Sequence, residues 1–219
     1  MMLKGIFFDF DGVLFDSEKI HHFENCAFME SEGFSYEEQW LIELVGTDPK
    51  KNVWRDIYEH AAPPYSYEEL IVRRDAFLDS RGRFNDVAHS LFPGVKEGLL
   101  KAKEAGIKLA VASSSPFSYL EENTKKAGIY SCFDCMYSGR DLKDPKPAPD
   151  IYLNCASALG LSSNECAVVE DSYYGILAGK RAGMKVVAVR DDYFGMDQSQ
   201  ADIIVDTTAE AIAYLLSSF

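Results

Sequence analysis

The chain is short of positive charge. It carries 22 Lys and Arg against 35 Asp and Glu in 219 residues, a formal net charge of −13. That balance argues against general nucleic-acid binding, which runs on neutralising phosphates with cations, and against docking on an anionic membrane. No apolar run approaches the roughly 18–20 residues needed to span a bilayer. The opening stretch from Met1 meets an acid at Asp9, too early for the apolar segment of a signal peptide. Cysteine is scarce and odd in number: the five are Cys26, Cys132, Cys135, Cys155 and Cys166, a scatter that does not suggest a disulfide framework. Cys132 and Cys135 have CxxC spacing, but no second pair completes a zinc site, and they read as small buried hydrophobes. A monomeric protein of a reducing cytoplasm is the expectation.

What is present is an ordinary globular mix, 47% hydrophobic and 26% charged, long enough to bury a sizeable core. From about residue 88 onward, short apolar runs alternate with helical patterns. Strands are expected at 107–113, 135–138, 166–171, 185–190 and 202–205, and the first at 5–9. Near-continuous apolar runs of this length mark strands buried on both faces. Helices are expected at 95–105, 116–127, 149–159 and 172–182, each followed by a glycine. Strands alternating with helices predict an α/β fold: a Rossmann-like parallel sheet with helices on both faces. The stretch 16–87 lacks strand character and reads as three or four helices, with Ile20, Phe23 and Ala27 as one apolar stripe. The division is therefore a core of 1–15 with 88–219, and a helical insertion of 16–87 after the first strand.

In an open parallel sheet, ligands bind outside the carboxyl ends of the strands. Asp9 and Asp11 follow the first strand, Ser113-Ser114-Ser115 the second, and Glu170-Asp171 another. Lys146, between Pro145 and Pro147, adds a cation on a stiff loop. Taken singly these are ordinary loop acids, helix caps and a solvated lysine. Together they converge on one edge of the sheet. Carboxylates held close raise one another's pKa unless a cation intervenes. A hard divalent ion resolves the conflict, and Mg²⁺ fits best, with a substrate phosphate among its partners.

The run Asp9-Phe10-Asp11-Gly12-Val13-Leu14-Phe15-Asp16 resembles the first motif of the haloacid-dehalogenase-like phosphohydrolases. Ala110 to Ser113 is similar to their second motif, Lys146 to Asp150 to the third, and Val168 to Ser172 to the fourth. Order and separation match along essentially the whole chain. The helical insertion resembles the family's small α-helical cap, and the Glu170-Asp171 pair resembles the β-phosphoglucomutase and sugar-phosphatase branch. The resemblance implies Asp9 as nucleophile, forming an aspartyl-phosphate, and Asp11 as general acid and base. It implies a metal held by Asp9, Asp171, Glu170 and the main-chain carbonyl of Asp11, with Ser113, Ser114 and Lys146 on the transferring phosphate. Dehalogenases of the superfamily lack the second Asp, which is present here.

The resemblance also bears on substrate. His21, the loop residues Gly46, Thr47 and Lys50, Arg74 and Ser115 align with substrate-facing positions. Mutases carry an Arg in that loop, where this chain has Pro49 beside Lys50, and Pro116 stands where their pattern has a Lys-like residue. Lys lacks the bidentate fork of Arg. These departures favour a Mg²⁺-dependent phosphatase of a small phosphorylated metabolite, a sugar phosphate, over β-phosphoglucomutase. A binding protein that has lost turnover is a third reading. The acid surplus opposes long-range steering of anions, so attraction has to be local, from the metal, Lys146 and a cation such as Lys50 or Arg74. The acidic, aromatic loop 191–197 reads as a surface connection.

Overall fold

The computed structural model describes residues 2–44, 52–81 and 87–218. The chain separates into two compact units, Met1–Asp16 with Val87–Phe219, and Ser17–Asp86. It begins with strand β1 (Gly5–Phe8) and then enters four helices, α1 (Ser17–Ser31), α2 (Glu38–Leu44), α3 (Val53–Ala61) and α4 (Tyr67–Ser80). The larger unit resumes with α5 (Val95–Glu104), β2 (Lys108–Ser113), α6 (Phe117–Lys126), β3 (Cys135–Ser138) and α7 (Asp150–Leu159). It ends with β4 (Cys166–Glu170), α8 (Tyr173–Arg181), β5 (Lys185–Val189), β6 (Ile203–Val205) and α9 (Thr208–Ser217).

The six strands form one parallel sheet in the order β3-β2-β1-β4-β5-β6. β1 is central, with β2 and β4 on either side, so the strand order switches from one side of β1 to the other while every strand stays parallel. Alternate residues supply the two faces. On one face Phe7, Ala110, Val168, Val186 and Ala188 pack with Ile151, Tyr152 and Cys155 of α7 and Ile176 and Ala178 of α8. The residues between them, Ile6, Phe8, Leu109, Val111, Val169 and Val187, are equally buried, and α5 and α9 pack together beside β2 and β5. Burial on both faces explains why these strands read as unbroken apolar runs.

The expected helices of this unit end within one residue of the observed ones, and the difference is mostly in the caps. Pro116, Pro149 and Ser172 stand at N-cap positions. The Ser172 hydroxyl accepts the Gly175 N–H at 3.1 Å, satisfying one of the free donors of the first turn. Helix α9 was not among the expected elements.

The helical unit has its own core. Phe28, Met29, Leu41, Ile57 and Leu70 are buried, with Trp54, Tyr58, Tyr65 and Phe77 packed around them. Full burial of one such aliphatic side chain contributes roughly 1.5–3 kcal/mol. Asn52 caps α3 and Ser66 caps α4. The apolar stripe expected on α1 is not the buried one: Phe23 is exposed, whereas His22, Phe28 and Met29 are buried. With few apolar residues on α1, periodicity alone did not choose the face, and the aromatic cluster did. No helix of the described residues is long and apolar enough to cross a membrane.

Candidate active site

β1 ends at the centre of the sheet, so the residue after it emerges where β2 and β4 flank it. That residue is Asp9, whose N–H donates to the Val169 carbonyl at 3.0 Å. The chain then folds tightly. The Phe10 carbonyl accepts the N–H groups of Leu14 and Phe15 at 2.9 and 3.1 Å, and Gly12 N–H donates to the Phe15 carbonyl at 2.8 Å. Thr208 at the start of α9 ties this loop from outside, donating its hydroxyl to the Val13 carbonyl at 2.5 Å. Gly12 has φ +76°, and a Cβ there would overlap the Asp171 carboxylate. Glycine supplies both the left-handed turn and the close approach.

Lys146, from the loop between β3 and α7, is buried at 5% exposure and places Nζ 2.6 Å from both Asp9 Oδ1 and Glu170 Oε1. Glu170, the last residue of β4, is fully buried. Its Oε1 also accepts the Tyr152 phenol at 2.9 Å. Its Oε2 accepts three donors at 3.0 Å: the N–H groups of Asp171 and Ser172 and the Ser172 hydroxyl. A carboxylate offers about four acceptor sites, so Glu170 is saturated. Gly175 of α8 lies against it, and a Cβ there would overlap its carboxyl group.

Burial pushes the Asp9 carboxyl up. The Lys146 ammonium pulls it back, but with Glu170 and Asp11 opposing ionisation it comes to rest at about 7. Glu170 resolves the other way: burial raises it, yet Lys146 and its hydrogen-bond donors hold it below the usual carboxylate range. Burial disfavours the Lys146 charge, but the two carboxylates more than offset this and hold Lys146 well above its ordinary value. The cluster therefore keeps a firm ammonium and one firm carboxylate, with Asp9 as the adjustable partner.

Asp11 is also buried, and its carboxylate takes a different set of partners. Oδ2 accepts the Ser115 hydroxyl at 2.6 Å and Oδ1 the Tyr119 phenol at 3.2 Å. Ser113, at the end of β2, is buried and accepts the Ser115 N–H at 3.0 Å, while Ser114 is exposed. Asp9, Glu170 and Asp171 each offer an oxygen, all within 4.8 Å of one another. Three carboxylate oxygens so close form a hard, anionic donor set of the kind that suits a divalent cation.

The sheet edge thus gathers Asp9, Asp11, Ser113, Ser115, Lys146, Glu170 and Asp171. Ser115 meets Asp11, a relationship the sequence did not indicate. In the helical unit, His21 is half-buried. Arg74 pairs with Asp75 at 2.6 Å, and its guanidinium lies 4.8 Å over the Trp54 ring. Gly46, Thr47 and Lys50 lie outside the described residues. Sequence reasoning passed over Tyr119 and Tyr152. A signal was available, since each puts one hydroxyl on the buried face of a short helix next to apolar neighbours, Leu120 and Ile151 respectively. A buried phenol needs a partner, and here both partners are acids.

Residues 6–189 match the family model described as haloacid dehalogenase-like hydrolase. Hexitol phosphatase B of Escherichia coli (strain K12) is 30% identical over 187 residues, covering 83% of this chain and 81% of its own. The phosphorylated carbohydrates phosphatase of Thermotoga maritima is 29% identical over 190 residues, covering 84% and 83%. Among solved structures, CbbY from Rhodobacter sphaeroides in complex with phosphate has a TM-score of 0.76 and 25% identity, covering 95% of this chain and 96% of that one.

Proposed function

The chain belongs to the haloacid dehalogenase-like hydrolases, and on that premise we propose that it is a Mg²⁺-dependent phosphatase of a small phosphorylated carbohydrate, working through an aspartyl-phosphate on Asp9. The observation that carries this reading is the buried Asp9–Lys146–Glu170 triad at the central strand end, with the Asp11 carboxylate held on separate partners next to it. Relatives named as phosphatases of hexitols and of phosphorylated carbohydrates support the substrate class.

Two steps follow from the residues. An Asp9 carboxylate oxygen attacks phosphorus, the bond from phosphorus to the sugar oxygen breaks, and Asp11 gives its proton to the departing alkoxide. Asp11, now a carboxylate, then takes a proton from water; the hydroxide bonds to phosphorus, releasing inorganic phosphate and restoring Asp9. Splitting one transfer in two lowers each barrier, and a proton group beside the leaving oxygen typically adds 10²–10⁴-fold. Lys146 fixes the position of Asp9 and offers positive charge to the phosphoryl oxygens, and the Ser113 and Ser114 groups offer donors to them. Asp9, Glu170 and Asp171, with the Asp11 main-chain carbonyl, would hold the ion; Glu170 already accepts five donors and would have to release one of them to join the set. When bound, Mg²⁺ supplies the charge that offsets repulsion between these acids and the phosphate. We assign the helical unit, through His21, Arg74 and the sequence positions Gly46, Thr47 and Lys50, to substrate choice.

The test is phosphate release from a panel of hexose and hexitol phosphates, with and without excess chelator. Release with at least one of them, lost in chelator and restored by Mg²⁺, is expected. Unchanged release by purified Asp9→Asn would sink the mechanism. Efficient isomerisation of β-glucose 1-phosphate with negligible phosphate release would move the acceptor from water to a sugar hydroxyl.

A further inference from the structure

The loop after β5 has a fold of its own. The Asp191 carboxylate accepts the N–H groups of Tyr193 and Phe194 at 3.0 Å and of Met196 at 2.9 Å. This curls the loop back and brings Gln198 to the carboxyl edge of the sheet, where it is 7% exposed. The Gln198 amide nitrogen donates to the Asp171 carbonyl at 2.6 Å and to the Val189 carbonyl at 2.7 Å. Its amide oxygen accepts the Asp191 N–H at 3.4 Å. Two carbonyl acceptors can be met only by the NH₂ end, so chemistry settles which way the amide faces.

The position of this bridge gives it meaning. The β4–β5 pairing ends at Glu170 opposite Ala188. One residue further on, at Asp171 and Val189, the strands no longer pair, and Gln198 joins the two carbonyls instead. Asp171 is then fixed through its main chain on both sides: its N–H donates to Glu170 Oε2 at 3.0 Å and its carbonyl accepts Gln198. Its carboxylate lies against Gly12.

We propose that Gln198 is a positioning residue that sets Asp171 for divalent-cation binding, an inference that rests on reading Asp9, Glu170 and Asp171 as the cation site. The Gln198 amide is engaged with the main-chain groups of Asp171, Val189 and Asp191. It acts by denying the Asp171 backbone the freedom to turn its carboxylate away. Groups that orient a ligand in this way typically govern metal affinity by about 10–100-fold. The 191–198 loop is, on this account, the scaffold that carries Gln198 to its place.

The experiment measures Mn²⁺ affinity by electron paramagnetic resonance on the full-length protein, for wild type, Gln198→Leu and Asp171→Asn, alongside the KM for Mg²⁺ and the unfolding midpoint in chelator. Gln198→Leu is expected to weaken Mn²⁺ binding about 10–100-fold and raise the Mg²⁺ KM, while kcat at saturating Mg²⁺ stays within a few-fold of wild type. A purely structural role would lower the unfolding midpoint and leave Mn²⁺ affinity alone. Wild-type Mn²⁺ affinity in Gln198→Leu, with Asp171→Asn impaired, overturns the proposal and spares the cation site. Wild-type affinity in Asp171→Asn itself removes the cation-site reading and this proposal with it. Should Gln198→Leu fail to fold, Gln198→Met, of similar length and uncharged but without a donor, gives the same comparison.

Discussion

Lys146 places its ammonium 2.6 Å from Asp9, yet the Asp9 carboxyl still sits at about 7, well above its ordinary 3.8. One cation divided between two buried acids cannot satisfy both. Glu170, with four further donors, keeps the larger share. Asp9 is left as an acid whose charge the protein only partly supports, which suits the nucleophilic role proposed for it.

The first prediction concerns pH. A group whose folded pKa is raised contributes stability that is present below the unfolded value and is lost as pH rises through the folded value. For Asp9 the window runs from about 4 to about 7. In chelator at pH 8, Asp9→Asn should therefore melt above wild type, by about 2–4 °C per kcal/mol of relief for a chain of this size, and the gain should vanish near pH 4. Turnover in Mg²⁺ should be lost, because no carboxylate remains at that position to form the aspartyl-phosphate. Differential scanning calorimetry across pH checks the first, and phosphate release the second.

Lys146→Met removes the shared partner of two buried carboxylates. Breaking a buried pair from one side typically costs about 3–5 kcal/mol. A loss of that order in chemical denaturation, together with loss of turnover, is the expected outcome. A neutral effect on stability would mean the triad is not closed in solution.

Gly175→Ala forces a methyl group into the Glu170 carboxyl. Either Glu170 moves, carrying Lys146 with it, or α8 does. Activity should drop at least about 10-fold, since small misplacements at a reacting centre are costly. Gly33→Ala makes a useful contrast: nothing lies within 4 Å of a Cβ there, and its φ of +73° brings only backbone strain. Its turnover should be unchanged.

Ser115 and Tyr119 both donate to Asp11. The double variant Ser115→Ala/Tyr119→Phe leaves the proposed acid without these two fixing contacts. It should lower kcat by about 10–100-fold with little change in Mg²⁺ affinity, because the loss falls on proton transfer. Steady-state kinetics and Mn²⁺ titration separate the two effects.

Much of the fold was legible because local pattern and global fold agree in the larger unit. Unbroken apolar runs such as Val186-Val187-Ala188 have no solvent face to interrupt them, and α5 to α8 are each followed closely by a glycine; α9, which lacks that signal, was missed. α1 was less legible. Its few apolar residues fit more than one stripe, and only the aromatic cluster around Phe28 chose among them. Asp9, Asp11, Lys146, Glu170 and Asp171 could be found as a set because a parallel sheet puts its strand ends on one edge. Tyr119, Tyr152 and Gln198 were passed over, because none stands at a strand end: the two tyrosines lie within helices and Gln198 in the loop after β5, and only the fold carries them to Asp11, Glu170 and Asp171.

The amino-acid sequence by itself determined the α/β class, the helical insertion and the acids at the strand ends, since these follow from local periodicity and from where a strand stops. Only the tertiary structure decided how those acids divide one lysine, which of them is saturated with donors, and that Ser115 serves Asp11. Those outcomes depend on distances of 2.6–3.2 Å between residues from different elements. The energies of buried charges change steeply over such distances, and no spacing along the chain encodes them.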